Sequence, residues 1–232
     1  MNPWPGAVIF DFDGVIVNSE PLHLRAFQEV LAAEKIDLTE EEYYRALIGF
    51  DDRGAFKHLY ESRHIPLEPK TLLHLLTRKG EMTMELINRR HYDALPGAAE
   101  LIRGLWRHYP LAICSGARRE EIEAMLEGVN LRDCFPDIVA AEDVTVGKPD
   151  PSGYLLATQH ISHRMKKPLK PADVLVIEDA PSVVKSARKA GFTVLAVATS
   201  YPINELAEAN HVVTTLHPGE VHKQIPQLKL TV

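Results

Sequence analysis

Ala7-Val8-Ile9-Phe10 is a short apolar run that stops abruptly at Asp11. Runs of the same kind recur at 111–114, 138–140, 174–177 and 194–197, with a weaker one at 212–213. Unbroken apolar runs rich in β-branched residues suit strands covered on both faces, as in a parallel sheet. Amphipathic stretches lie between them. Residues 96–109 carry Leu101, Ile102 and Leu105 at helical spacing, and 118–127 carry Ile122, Met125 and Leu126. Residues 181–190 open with Pro181 at a first helical position and are followed by Gly191, a helix start and stop. From about residue 96 onward, strand and helix alternate, which predicts an α/β fold with a parallel sheet.

Residues 18–95 break that alternation. Between Glu20 and His91 the apolar positions keep helical spacing: Leu22, Ala26, Phe27, Val30 and Leu31, then Tyr43, Ala46 and Leu47, then Phe56, Leu59 and Tyr60, then the leucine-rich stretch 72–87. Leu95-Pro96-Gly97 reads as the return to the sheet. The expected organisation is an α/β core made of 1–17 and 96–232, interrupted by a helical domain at 18–95.

Charge and composition narrow the partners. The 232 residues hold 26 Lys+Arg against 32 Asp+Glu, a net charge of −6, which argues against nucleic acid or an anionic membrane surface as the main partner. No window approaches the roughly 18 unbroken apolar residues of a membrane helix. The opening Met1-Asn2-Pro3-Trp4-Pro5-Gly6 lacks the basic-then-apolar pattern of a signal peptide. Two cysteines, Cys114 and Cys134, make a poor disulfide framework, so a cytoplasmic location is expected. The basic run 163–170 reads as a solvated loop, and Trp4 and Trp106 lie in no basic aromatic pattern. His160 and His163 lack the further ligands a metal site needs.

Chemistry in parallel sheets collects outside the carboxyl ends of the strands. Read in order, those ends are Asp11-Phe12-Asp13-Gly14, then Ser115-Gly116, then Gly147-Lys148-Pro149, then Glu178-Asp179. Carboxylates hold a hard cation such as Mg²⁺ through oxygen. Lysine, hydroxyl and cation together neutralise a phosphate, and a carboxylate beside the cation can attack phosphorus.

The four motifs in this order resemble the haloacid dehalogenase superfamily of phosphotransferases, over essentially the whole chain. The helical insert resembles the cap of the subgroup that contains β-phosphoglucomutase and many small phosphate-ester phosphatases. The resemblance implies a doubly wound, Rossmann-like sheet with an inserted α-helical cap, and Mg²⁺ as cofactor. It implies Asp11 as nucleophile and metal ligand, and Asp13 as general acid and then base, with its backbone carbonyl on the metal. Ser115 and the Gly116 N–H would bind the phosphoryl oxygens, and Lys148 would offset their charge. Asp179 would bind Mg²⁺ directly, with Glu178 acting through a water or bracing Asp179. Asp13 also separates this chain from the halide-displacing members, which lack a second Asp. Two positions depart from the family pattern: Val183 stands where glycine is common, and Asn18 where many relatives have Asp.

The same resemblance implies a substrate end in the cap and nearby loops: His23, Arg53 in the segment 49–53, and the pair Arg118 and Arg119, with Lys79 in the cap as a further basic candidate. These basic residues suit an anionic leaving group, a sugar phosphate or a phosphorylated acid. The expected activity is hydrolysis of a small phosphate monoester by a monomer, with a phosphosugar mutase as the alternative. A phosphoryl-accepting signalling module is the rival outside enzymes. Such modules carry their acceptor on the third strand and have no use for an acid two residues after it.

Overall fold

The computed structural model describes residues 4–47, 50 and 52–231. Contacts divide the chain into two units, residues 1–18 with 93–232, and 19–92.

The first unit is built on a parallel sheet of six strands: β1 (Ala7–Phe10), β4 (Leu111–Cys114), β5 (Asp137–Val139), β6 (Val174–Glu178), β7 (Thr193–Val197) and β8 (His211–Val213). Their spatial order is β5-β4-β1-β6-β7-β8. The chain therefore runs outward from β1 in one direction, then returns and runs outward in the other. β1 and β6 form the switch point, where an open α/β sheet leaves a crevice at its carboxyl edge. Phe10 pairs with Ile113 on one side and with Ile177 on the other. Every residue of β1, β4 and β6 is buried, which is why these strands read as continuous apolar runs.

The helices of this unit are α5 (Ala98–Trp106), α6 (Arg119–Gly128), α7 (Ser152–Met165), α8 (Pro181–Lys189) and α9 (Pro218–Gln224). Gly97 caps α5 with φ +81°, and a Cβ there would sit 2.3 Å from the His217 backbone nitrogen. α8 starts on Pro181 and ends beside Arg188 and Lys189, which suit the negative end of its dipole. One core cluster joins Ile9, Ala112, Val139 and Val176 of the sheet to Tyr154, Ala157 and Ile161 of α7 and Val184 and Ala187 of α8. A two-residue antiparallel ribbon, β2 (Val17–Asn18) with β3 (Asp93–Ala94), lies where the second unit leaves and rejoins the chain. Two residues per strand leave no periodicity to read, so the sequence gives no sign of it.

The second unit comprises α1 (Glu20–Ala33), α2 (Glu40–Ala46), α3 (Asp52–Ser62) and α4 (Pro69–Asn88). α2 begins with Thr39, whose Oγ1 accepts from the Glu42 N–H at 3.1 Å. Phe27, Tyr43, Phe56, Leu59 and Leu75 belong to a core of its own, with the Phe27 and Phe56 rings edge to face at 5.0 Å. Gly49 and Asp51, part of the segment 49–53 singled out above, lie outside the described residues. No helix among the described residues is long and apolar enough to cross a membrane.

Candidate active site

Asp11 directly follows β1 and Glu178 closes β6, so the switch point brings them together. Asp11 donates its backbone N–H to the Ile177 carbonyl at 2.9 Å, which extends the β1–β6 ladder to the acidic residue itself. The carboxylates of Asp11, Glu178 and Asp179 each place an oxygen within 4.8 Å of the others, and all three residues are buried. Lys148 reaches in from the segment before α7. Its Nζ lies 2.6 Å from Asp11 Oδ1 and 2.8 Å from Glu178 Oε1. One cation thus faces three buried carboxylates.

That imbalance shows in their proton affinities. Burial, followed by the charges of Glu178 and Asp179, raises the Asp11 carboxyl well above the usual range, against the pull of Lys148. Burial and then Glu178 push Asp179 up to about 7, while a hydrogen bond from Ser200 opposes the shift. Burial disfavours the Lys148 ammonium, but Asp11 and Glu178 override it and hold that group well above its ordinary value. A divalent cation bound by oxygen would relieve this crowding, so the donor set fits Mg²⁺. Asp11, Glu178 and Asp179 are the described side chains that would hold it.

Glu178 has a different standing. Its Oε1 accepts from Lys148 and from the Tyr154 hydroxyl at 3.0 Å, and its Oε2 accepts from the backbone N–H groups of Asp179 at 2.8 Å and Ala180 at 2.7 Å. Four donors fix a fully buried carboxylate, which makes it a brace for the loop that carries Asp179. Tyr154 has no counterpart among the sequence expectations. Its ring lies 5.1 Å from Lys148 Nζ, so one side chain contacts both the lysine and the glutamate. Only its place on the buried face of α7, with Ala157 and Ile161, is visible in the sequence, and that reads as core. Ser200 is equally silent in the sequence.

The turn after Asp11 is shaped by Gly14, at φ +75°. A Cβ there would lie 2.1 Å from Asp179 Oδ2, so glycine lets the first and fourth motifs approach. Thr199 Oγ1 donates to the Gly14 carbonyl and ties the end of β7 to the same turn. Asp13 is half-buried beside that turn, and its charge is among those that raise Asp179. Ser115 follows β4, the other neighbour of β1; it is buried, and its Oγ accepts from the Ala117 N–H at 3.0 Å. Gly116 is exposed, with nothing within 4 Å of where a Cβ would stand. Val183, in the first turn of α8, is buried in the core cluster.

The remaining basic residues are distributed differently. Arg118 is exposed and pairs with Glu120 at 2.6 Å. Arg119 donates to Asp143 at 2.5 Å and to the Ile138 carbonyl at 3.0 Å, so its guanidinium fastens the end of β5. Within the helical unit, Arg53 is exposed on α3, whereas Lys79 is buried. Lys79 Nζ lies 2.7 Å from Asp52 Oδ1, 2.9 Å from His23 Nδ1 and 5.2 Å from the Phe27 ring centre. An ammonium only donates, so His23 accepts at Nδ1 and carries its proton on Nε2. Burial, then Lys79, lower His23 to about 3, and it stays neutral.

Known proteins resemble this chain in sequence and in fold. Residues 8–197 match the family model described as haloacid dehalogenase-like hydrolase. Protein CbbY of Rhodobacter capsulatus is 33% identical over 203 residues, covering 84% of this chain and 86% of that protein. The phosphorylated carbohydrates phosphatase of Thermotoga maritima is 28% identical over 186 residues, 80% of this chain and 81% of that one. The crystal structure of CbbY from Rhodobacter sphaeroides in complex with phosphate superposes with a TM-score of 0.81 at 23% identity, over 96% of this chain and 98% of that one.

Proposed function

The chain belongs to the haloacid dehalogenase-like hydrolase family, and from that premise we propose that it is a Mg²⁺-dependent phosphatase of small phosphate monoesters. The observation that carries this reading is the contact of Asp11 with Lys148 at 2.6 Å, inside a cluster of three buried carboxylates. Relatives named as phosphatases of phosphorylated carbohydrates and of fructose 1-phosphate support a sugar phosphate as the substrate class.

Mg²⁺, when bound, supplies positive charge that offsets the phosphate and keeps Asp11 and Asp179 ionised. The Asp11 carboxylate attacks phosphorus, the bond to the ester oxygen breaks, and Asp13 gives that oxygen its proton. Asp13, now a carboxylate, takes a proton from water. The resulting hydroxide attacks the phosphorus of the aspartyl-phosphate, releasing inorganic phosphate and restoring Asp11. Lys148 neutralises charge on Asp11 and on the transferring group through both halves. Ser115 and the Gly116 N–H bind the phosphoryl oxygens. Glu178 and Tyr154 hold Lys148 and the Asp179 loop in place.

The test is release of phosphate from a panel of sugar phosphates and phosphorylated acids, with Mg²⁺ and with EDTA, beside a coupled assay for sugar-phosphate isomerisation. Release that EDTA stops and Asp11→Asn abolishes is expected. Release undiminished in Asp11→Asn removes Asp11 as nucleophile, and fast isomerisation with negligible release replaces the phosphatase with a mutase.

A further inference from the structure

We propose that Ser200 is a positioning residue for Asp179 and, through that carboxylate, biases the acidic cluster toward Mg²⁺ over Ca²⁺. Ser200 lies outside the four motifs, and its role rests on the cation site of the proposed function.

Glu178, which closes β6, stands opposite Ala196 of β7, so the chain that leaves β7 emerges beside Asp179. That loop is tied down at successive residues. Ala198 donates its N–H to the Val213 carbonyl at 2.9 Å, which carries the β7–β8 ladder one residue past the strand. Thr199 Oγ1 donates to the Gly14 carbonyl. The Ser200 hydroxyl donates to the Asp179 carboxylate. Adjacent side chains of one loop thus grip the first motif and the fourth.

Asp179 is held twice, in different ways. Glu178 Oε2 accepts the N–H groups of Asp179 and Ala180, which fixes the backbone but does not stop the Asp179 side chain from turning. Ala180, the next residue, has no hydroxyl to offer. Ser200 supplies that restraint from the neighbouring strand. Gly14 makes the meeting possible: a Cβ there would lie 2.1 Å from Asp179 Oδ2, 2.8 Å from Asp179 Cγ and 2.8 Å from Ser200 Oγ. Carboxylate and hydroxyl share the space that glycine leaves open.

The restraint matters because the two cations ask different things of a carboxylate. Mg²⁺ demands near-octahedral geometry and is served by single oxygens, whereas Ca²⁺ has a larger, more flexible shell that takes both oxygens of one carboxylate. A carboxylate kept from turning by a hydroxyl on one oxygen offers the other oxygen singly. Without Ser200, Asp179 can turn both oxygens to a larger ion. Hydrogen bonds that orient metal-binding side chains are worth roughly 10–100-fold in affinity.

Isothermal titration of the metal-stripped full chain, without substrate, with MgCl₂ and separately with CaCl₂, reads both affinities. Ser200→Ala should weaken Mg²⁺ binding about tenfold and lower the preference for Mg²⁺ over Ca²⁺ at least about fivefold. Ser200→Thr keeps the hydroxyl and should retain the wild-type preference. The ratio cancels any change in proton competition, since both ions meet the same carboxylates. Ser200 is exposed, so alanine leaves no core cavity, and melting in EDTA confirms the fold. An unchanged preference in Ser200→Ala, equal weakening of both ions included, overturns this role for Ser200 and leaves the proposed phosphatase standing. A loss of preference in Ser200→Thr as large as in Ser200→Ala overturns it as well, because the hydroxyl would then not be the cause. A wild-type chain that binds neither ion overturns both this role and the metal-dependent reading beneath it.

Discussion

The Tyr154 hydroxyl donates to Glu178 Oε1 at 3.0 Å while its ring lies 5.1 Å from Lys148 Nζ. Tyr154 is fully buried, and burial and Glu178 hold its phenol well above the ordinary value, so it remains a donor. Tyr154→Phe keeps the ring and removes one of four donors to a charged acceptor. A stability loss of about 2 kcal/mol is expected, together with a several-fold higher Mg²⁺ requirement for half-maximal phosphate release. Denaturant melts and Mg²⁺ titrations read the two effects separately; an unchanged Mg²⁺ requirement would reduce Tyr154 to a packing residue.

Gly14→Ala places a methyl group where Asp179 Oδ2 now lies, 2.1 Å away, at a backbone φ of +75°. Because the change falls in a turn, the fold should survive while the first and fourth motifs are forced apart. Activity should fall on the order of 100-fold, the scale of a misplacement by about 1 Å. Phosphate release, with melting as a control for folding, checks it.

Thr83 in α4 is fully buried, and its Oγ1 has no hydrogen-bond partner among the described residues. Valine has nearly the same shape without the hydroxyl, so Thr83→Val removes a desolvated polar atom at little packing cost. A gain of about 1 kcal/mol is expected, seen as a higher urea midpoint with an unchanged slope.

His23 couples the helical unit to pH. Its value is about 3 in the folded chain, lowered by burial and then Lys79, against an ordinary 6.5. Between those values the unfolded chain binds the proton and the folded chain does not, so stability falls as pH drops below 6.5. At pH 5.5 the loss from this residue is about 1.4 kcal/mol. His23→Asn keeps an acceptor for Lys79 and removes the titration. The difference in stability between pH 7.5 and pH 5.5, measured by urea melts, should shrink by that amount.

The sheet is legible in the sequence because its strands are buried on both faces, and 7–10 and 111–114 coincide with β1 and β4 to the residue. Helix ends are read less sharply. Residues 96–109 predict a helix that spans Ala98–Trp106, because Gly97 sets its start and the chain turns at His108 and Tyr109. Asp11, Glu178 and Asp179 stand out because charge at a strand end is costly without a purpose, and Lys148 because it sits in Gly147-Lys148-Pro149. Tyr154 does not, since an aromatic at core spacing looks like packing whether or not its hydroxyl is used. Arg119 and Lys79 illustrate a further limit. Sequence marks them as cations, but only the structure shows Asp143 and Asp52 already seated on them.

Asn18 and Asp93 stand opposite each other in the short antiparallel ribbon, at the two points where residues 19–92 are spliced into the chain. An insertion whose ends are paired neighbours leaves no gap in the polypeptide that surrounds it. A tight turn could bridge the same two positions without disturbing any pairing of the six-stranded sheet. The carboxylate cluster and the helical unit are therefore separable modules, free to diverge at different rates, so that the insert can change while Asp11, Glu178 and Asp179 stay as they are.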